Sequence, residues 1–199
     1  INNAGCVIEN CHADVVSRGG TFSKEYSAEI GAGFVVVNYG IIRNCYATGQ
    51  VTASGKMAGF CSTNRGYIES CYADVSVINT SSINQAAAFV SENGFADIYY
   101  GELLTGYQGI IINCFSLGHC TQDYASLKKT YGFLASQVLS SAYKGGAYSK
   151  AIGCYYNNDS VPTANLTTGG AHGYSSEYMK SKAFVDTLNM MAAFYGISQ

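Results

Sequence analysis

The chain has one proline and no tryptophan in 199 residues, and charged side chains make up only 12% of it. That is about half the usual share of roughly 25%. Its polar surface must therefore come from Ser, Thr, Asn and the 17 tyrosines rather than from Lys and Glu. Such a surface suits an exported β-rich protein better than a cytosolic helical enzyme. The formal net charge is −2 and Lys128-Lys129 is the only adjacent basic pair. A phosphate backbone would find no electrostatic footprint, so no nucleic acid partner is expected. No apolar run approaches the roughly 20 residues of a spanning helix, and the chain is read as not membrane-spanning. Among the 8 cysteines there is no Cys-x-x-Cys pair, and His-Glu-x-x-His does not occur. Neither a zinc knuckle nor a metallopeptidase helix is encoded, and no metal or cofactor is expected. An initiator methionine and a signal peptide are also missing, and Ile1-Asn2-Asn3 falls in mid-repeat. The chain thus reads as part of something longer.

What is present is a repeat. Ala32-Gly33-Phe34 through Ala47 and Ala58-Gly59-Phe60 through Ala73 both follow A-G-F-x-x-x-N-x-G-x-I-x-x-C-Y-A. Aligned on the cysteine, five units emerge, at Cys11, Cys45, Cys71, Cys114 and Cys154; aligned on the phenylalanine, Phe34, Phe60, Phe89 and Phe133 follow a small residue. Cys45 and Cys71 are 26 residues apart, and Cys71 and Cys114 are 43 apart. A fixed minimal unit with insertions of variable length accounts for both spacings, and a repeat of this kind fixes architecture better than local propensity does.

Within a unit, Cys71, Ala73, Val75 and Val77 alternate with Tyr72, Asp74 and Ser76, which is the period of a half-buried strand. Asn38-Tyr39-Gly40, Asn64-Arg65-Gly66 and Asn93-Gly94 are expected to make the corners, since Asn and Gly tolerate positive φ. The Leu-x-x-Leu-x-Leu signature of leucine-rich repeats is absent. The expectation is an all-β chain: a right-handed parallel β-helix of about five rungs over 1–174, with irregular loop insertions. Insertions at 17–30, 95–108, 121–130 and 139–150 are where ligand-binding loops would be sought. Over 175–199 a capping helix is expected, starting at Ser175 or Ser176. It runs through Met179, Phe184, Leu188 and Met191 to about Tyr195, with Gly196 as its stop and the open end of the core beneath it.

The pattern over Gly33–Val51 and Gly59–Val77 resembles the GLUG-motif repeats of bacterial secreted and cell-surface proteins. These occur in adhesin-like chains and beside immunoglobulin A-cleaving peptidases. The segment 176–189 is similar to the tail that often follows such repeats. The resemblance implies a β-helical stalk or binding region and an extracellular location, and it implies no reaction. Phe stands where the family often has Leu after the glycine.

Five of the cysteines recur at one inward position, where a small polarizable side chain stacks well, so buried free thiols are expected there. For Cys6, Cys61 and Cys120 a disulfide and free thiols both remain open. One residue further on, Tyr46, Tyr72, Phe115 and Tyr155 form an outward aromatic row, with His12 in the same row. That row is the candidate ligand-binding site, able to receive a host glycan or protein on a flat stripe. The bland alternative is that the row stabilises the stack or is covered by the insertions or the helix. Glu9, Arg43 and Glu69 share another outward position, where alternating sign supports the register. A lyase or hydrolase would need clustered carboxylates. The next outward row, Asp14, Thr48, Asp74, Leu117 and Asn157, does not cluster them, so no catalytic residues are assigned. Glycosylation triplets begin at Asn79, Asn158 and Asn165. The expected role is a non-catalytic extracellular module of a larger surface protein. Glycan binding or cleavage along the row is the second reading, and self-assembly into a filament by end-to-end stacking is the third.

Overall fold

The computed structural model describes residues 1–18, 30–80, 86–99, 102–122, 130–137, 149–160 and 170–197. The chain is mostly β, and all but one pair of its described strands lie in four parallel sheets. The first sheet holds Val7–Glu9, Ile41–Arg43, Tyr67–Glu69, Ile110–Ile112 and Lys150–Ile152. The second holds His12–Arg18, Tyr46–Ala53, Tyr72–Asn79, Phe115–Ser116, Cys154–Asn157 and Ala171–Tyr174, with Cys120–Gln122 also on Tyr72–Asn79. Short strands from Gly31–Ala32 to Thr130–Tyr131 form the third, and Val35–Asn38, Cys61–Asn64, Val90–Asn93 and Leu134–Gln137 form the fourth. The chain visits the sheets in a fixed cyclic order, and each return pairs in parallel with the visit before. Ile42 meets Ile8 and Ile68, and Tyr72 meets Tyr46 and Phe115.

Registration follows from what faces inward. Cys71, Ala73, Val75 and Val77 are fully buried while Asp74 is exposed, as the alternation requires, and a slip of one residue would bury the wrong set. Ile42, Ile68 and Ile111 stack in the core, and Phe34, Phe60, Phe89 and Phe133 form a face-to-face column with centroids 4.7–4.9 Å apart. The glycine of Ala-Gly-Phe is steric: a Cβ on Gly59 would sit 2.1 Å from the Ala88 carbonyl oxygen of the next layer.

The corners differ from the expected arrangement. Positive φ does not fall on Asn38 or Asn64, and of the expected triplets only Gly94 adopts it. The left-handed residue is the one before each repeat cysteine: Asn10, Asn44, Ser70 and Asn113, at φ of 49–56°, and then Gly153. The asparagines of Asn-x-Gly point inward instead. Asn2 donates to Asn38, Asn38 to Asn64 and Asn64 to Asn93, each from Nδ2 to Oδ1 at 2.8 Å. Their oxygens also accept the Gly40 and Gly66 amides, and the second amide hydrogens reach carbonyls such as Tyr67 O and Ile110 O. An unpaired amide at this depth would be costly, and the row leaves none of these groups unpaired.

A second correction concerns the C-terminal segment. It contains two helices, α1 (Ser176–Met179) and α2 (Lys182–Tyr195), capped by Ser175 and Ser181, with Gly196 left-handed at the end. The break falls at Lys180-Ser181, because the Ser181 hydroxyl accepts the Phe184 amide and so begins a new helix. The pair does not sit over the end of the core. Phe184 packs on Phe115 and Tyr155, Met191 lies over Gly153, and Tyr195–Ile197 face Glu9, Arg43 and Glu69. The helix therefore runs along the side of the stack. The insertion at 95–108 is an antiparallel pair, Phe95–Tyr99 with Glu102–Tyr107. The other three expected loops, and Asn165, lie largely outside the described residues.

Replacing Asn64 by Ala removes its bonds to Asn38 and Asn93 and strands both partners inside. This change is expected to cost roughly 2–4 kcal/mol in urea unfolding. Arg43→Ala breaks an exposed, solvent-screened pair with Glu9 and should leave the urea midpoint nearly unchanged. Equal losses in the two variants would refute the central place of the amide row.

Candidate functional site

The residue after each repeat cysteine leaves a left-handed corner and enters the second sheet with its side chain outward. This brings His12, Tyr46, Tyr72, Phe115 and Tyr155 into one row of register partners. His12–Tyr46, Tyr46–Tyr72 and Tyr72–Phe115 are stacked at 5.2, 4.9 and 5.1 Å, within 11° of coplanar. The row divides into two parts. Phe115 and Tyr155 are met edge-on by Phe184, each at 5.4 Å, and Tyr155 also contacts Tyr174, so at this end Tyr155 is buried and Phe115 half-buried against the C-terminal segment. Tyr46 and Tyr72 remain half-exposed, and His12 is exposed.

The row is not the flat stripe expected of it. Rings stacked face to face along the layers give their faces to one another. What reaches solvent beside Tyr46 and Tyr72 is ring edge and hydroxyl. A sugar ring lying on an aromatic face would find such a face only at His12, where the row ends. Around the open part are Asp14, Thr48 and Asp74, with the Thr48 hydroxyl donating to Asp14 at 3.0 Å. Asn157 leaves this row: it is buried and holds the Ser160 and Ser176 hydroxyls.

Beside the row, Glu9, Arg43 and Glu69 line up across three layers as their spacing requires. Arg43 clasps Glu9 through two nitrogens, at 3.0 and 3.1 Å, which raises its pKa further. The three residues, with Tyr67 and the end of α2 at Tyr195–Ile197, line a polar cavity of about 510 Å³. Burial, with Glu69 beside it, pushes the Tyr67 hydroxyl up to about 12. The residue pattern did not point to this cavity, because its far wall comes from a helix more than a hundred residues away. A second cavity of about 510 Å³ lies between α2 and Ala151–Gly153, lined by His172, Tyr155, Met190 and Met191.

All eight cysteines are free thiols, so no disulfide joins Cys6, Cys61 or Cys120. Cys45, Cys71, Cys114 and Cys154 are buried as expected, but Cys11 is exposed. Each buried repeat thiol donates to the carbonyl two residues back, Cys71 to Glu69 at 3.1 Å for example. The sulfurs of Cys45, Cys71 and Cys114 also accept the amide of the repeat cysteine one layer earlier, at 3.4 Å. These thiols mend the corner and are not poised as nucleophiles: the hydrogen bond with Cys71 pushes Cys45 well up, and burial pushes Cys71 and Cys114 up and Cys154 to about 12. Burial likewise pushes Cys61 and Cys120, away from the corner, up to about 12. Among the described residues, no three His, Cys, Asp or Glu gather as a metal site, and no helix is long and apolar enough to cross a membrane. Of the glycosylation triplets, Asn79 is buried and Asn158 exposed. Compared with known proteins, the chain matches no family model, no curated protein and no solved structure.

An aromatic disulfide reagent is expected to modify Cys6 and Cys11 in the folded protein and the other thiols only on unfolding. Buried thiols keep their protons from the ordinary value of 9.0 up to about 12. Their contribution to stability is complete below pH 9 and is lost as the pH rises toward 12. Urea midpoints should fall across that window, and less steeply in Cys120→Ala; parallel curves would show that this thiol does not drive the effect.

Proposed function

We propose that the chain is a right-handed parallel β-helix of the GLUG-motif repeat kind, exported to the cell surface. There it acts as a non-catalytic module of a larger adhesin-like protein, spacing or presenting a binding surface. The observation that carries the reading is that four kinds of side chain run in register through successive layers: the asparagine amides, the repeat thiols, the phenylalanine column and the outward aromatic row. Side chains spent on contacts between layers suit a spacer, whose task is to hold distance and direction. The low charge content and the Ser, Thr, Asn and Tyr surface fit an exported location. The part of the row left open, Tyr46 and Tyr72, offers hydroxyls and ring edges suited to hydrogen bonding with a host protein or a glycan.

A spacer of this kind lengthens by layers. Inserting a second copy of residues 33–58 after position 58 is expected to keep the fold and add about 4.8 Å to the longest dimension in solution scattering. A variant that unfolds, or swells in all directions, would refute the layered reading. For the binding surface, the test is a glycan array with the chain and its Tyr46→Ala/Tyr72→Ala variant, both shown folded by circular dichroism. A spacer or protein-binding module retains no glycan in either form. Retention lost in the variant would move the function to carbohydrate recognition on the row.

A further inference from the structure

Tyr46 and Tyr72 are register partners in adjacent strands of the second sheet, and their rings stack at 4.9 Å, 2° from coplanar. Both are half-exposed, and the edge each turns to solvent carries the hydroxyl. The rings on either side of the pair are His12 and Phe115. Neither an imidazole nor a phenyl ring gives up an electron as readily as a phenol. A one-electron oxidant that meets this edge therefore takes its electrons from Tyr46 and Tyr72. The pairs Tyr174–Tyr178 and Tyr155–Tyr174 are also close, at 4.6 and 5.7 Å, but they are tilted by 41° and 32° and belong to the cluster around Phe184.

Ring angle decides which pair can couple. A phenol that loses an electron and its hydroxyl proton carries spin density on the two ring carbons beside the oxygen. A bond between two such radicals forms through the π lobes of these carbons, and the lobes stand perpendicular to the ring. In a parallel stack the lobes of one ring point at the other; in a tilted pair they diverge. Equal register sets like carbons opposite one another, so a Cε of Tyr46 faces a Cε of Tyr72. To meet, the rings need only lean together by less than the roughly 30° that takes a side chain off its rotamer. The paired strands hold the two radicals as neighbours, which makes the coupling intramolecular.

We propose that Tyr46 and Tyr72 are an oxidative cross-linking site, with hydrogen peroxide acting through a haem peroxidase or similar one-electron oxidant as the co-reactant. Each phenol loses one electron and one proton, and a carbon–carbon bond joins the two Cε atoms. The hydrogens on those carbons then move to the oxygens, which restores both phenols. Two hydrogens leave the protein in all, and one peroxide becomes two waters. The bond rivets adjacent layers through residues 26 apart in the chain. This chemistry is independent of whether the aromatic row binds anything.

Treating the dilute folded protein with a haem peroxidase and one equivalent of hydrogen peroxide tests it. The monomer is expected to lose the mass of two hydrogens and to gain the blue emission of a dityrosine. Trypsin should then release 44–56, whose only tyrosine is Tyr46, joined to 66–128, and fragmentation should place the second end at Tyr72. Tyr46→Phe and Tyr72→Phe each keep a ring in the stack, as Phe115 does, so both should fold and both should lose the cross-link. Tyr174→Phe should form it as wild type does. Coupling that occurs first at Tyr174–Tyr178 would overturn the proposal. So would coupling only between molecules, a cross-link to 44–56 that survives in Tyr72→Phe, or protein left unmodified once the peroxide is consumed.

Discussion

The structure depends on the satisfaction of primary amides in a place water does not reach. An asparagine side chain carries both a donor and an acceptor, so a single buried copy is a liability, whereas a column of copies is self-satisfying. Asn2, Asn38, Asn64 and Asn93 form such a column only if each layer sits in register with the one beneath. A shift of one residue would bury the amides without partners, at about 1–3 kcal/mol for each stranded group. Apolar side chains would tolerate a slip far more readily. The amides specify alignment while the isoleucines, valines and phenylalanines supply most of the driving force.

The same logic explains the cysteines. At the corner before the second sheet the backbone turns through a left-handed residue, and the amide after it faces the core rather than a strand. A thiol fills this site because it is small enough to stack at the layer spacing and weakly polar enough to accept that amide and donate to a carbonyl. Serine would meet the polar need at a greater desolvation cost, and valine would meet none of it. Pairing these sulfurs as disulfides would remove the thiol hydrogens that reach the corner carbonyls, and all of them are free.

Much of the layered arrangement was legible in the repeat itself. A-G-F-x-x-x-N-x-G-x-I-x-x-C-Y-A carries the inward alternation, the phenylalanine column, the rows through Cys45 and Cys71, and the alignment of Glu9 with Arg43. What escaped reading was orientation. Asn-x-Gly is a turn signal and also the signature of an inward amide with a glycine packed above it; only three-dimensional neighbours such as Gly40 O over Gly66 separate the two. The row through Tyr46 and Tyr72 was placed correctly by spacing, but spacing says nothing of ring tilt, and stacked rings turned an expected platform into a ribbed edge. The helix was foreseen and its berth was not, because an apolar stripe announces burial without naming the surface that buries it. The polar cavity beside Glu69 was invisible for the same reason.

The column of amides has a direction. In every link the nitrogen of the earlier layer donates to the oxygen of the later one, from Asn2 through to Asn93. The side-chain dipoles therefore point the same way and add, and each bond polarises the next. The interior is a vectorial wire of aligned dipoles, its oxygen ends all turned toward the first layer, and the stack has a head and a tail in electrical terms. A layer inserted backwards would set nitrogen against nitrogen, so the amides admit new layers in one orientation only.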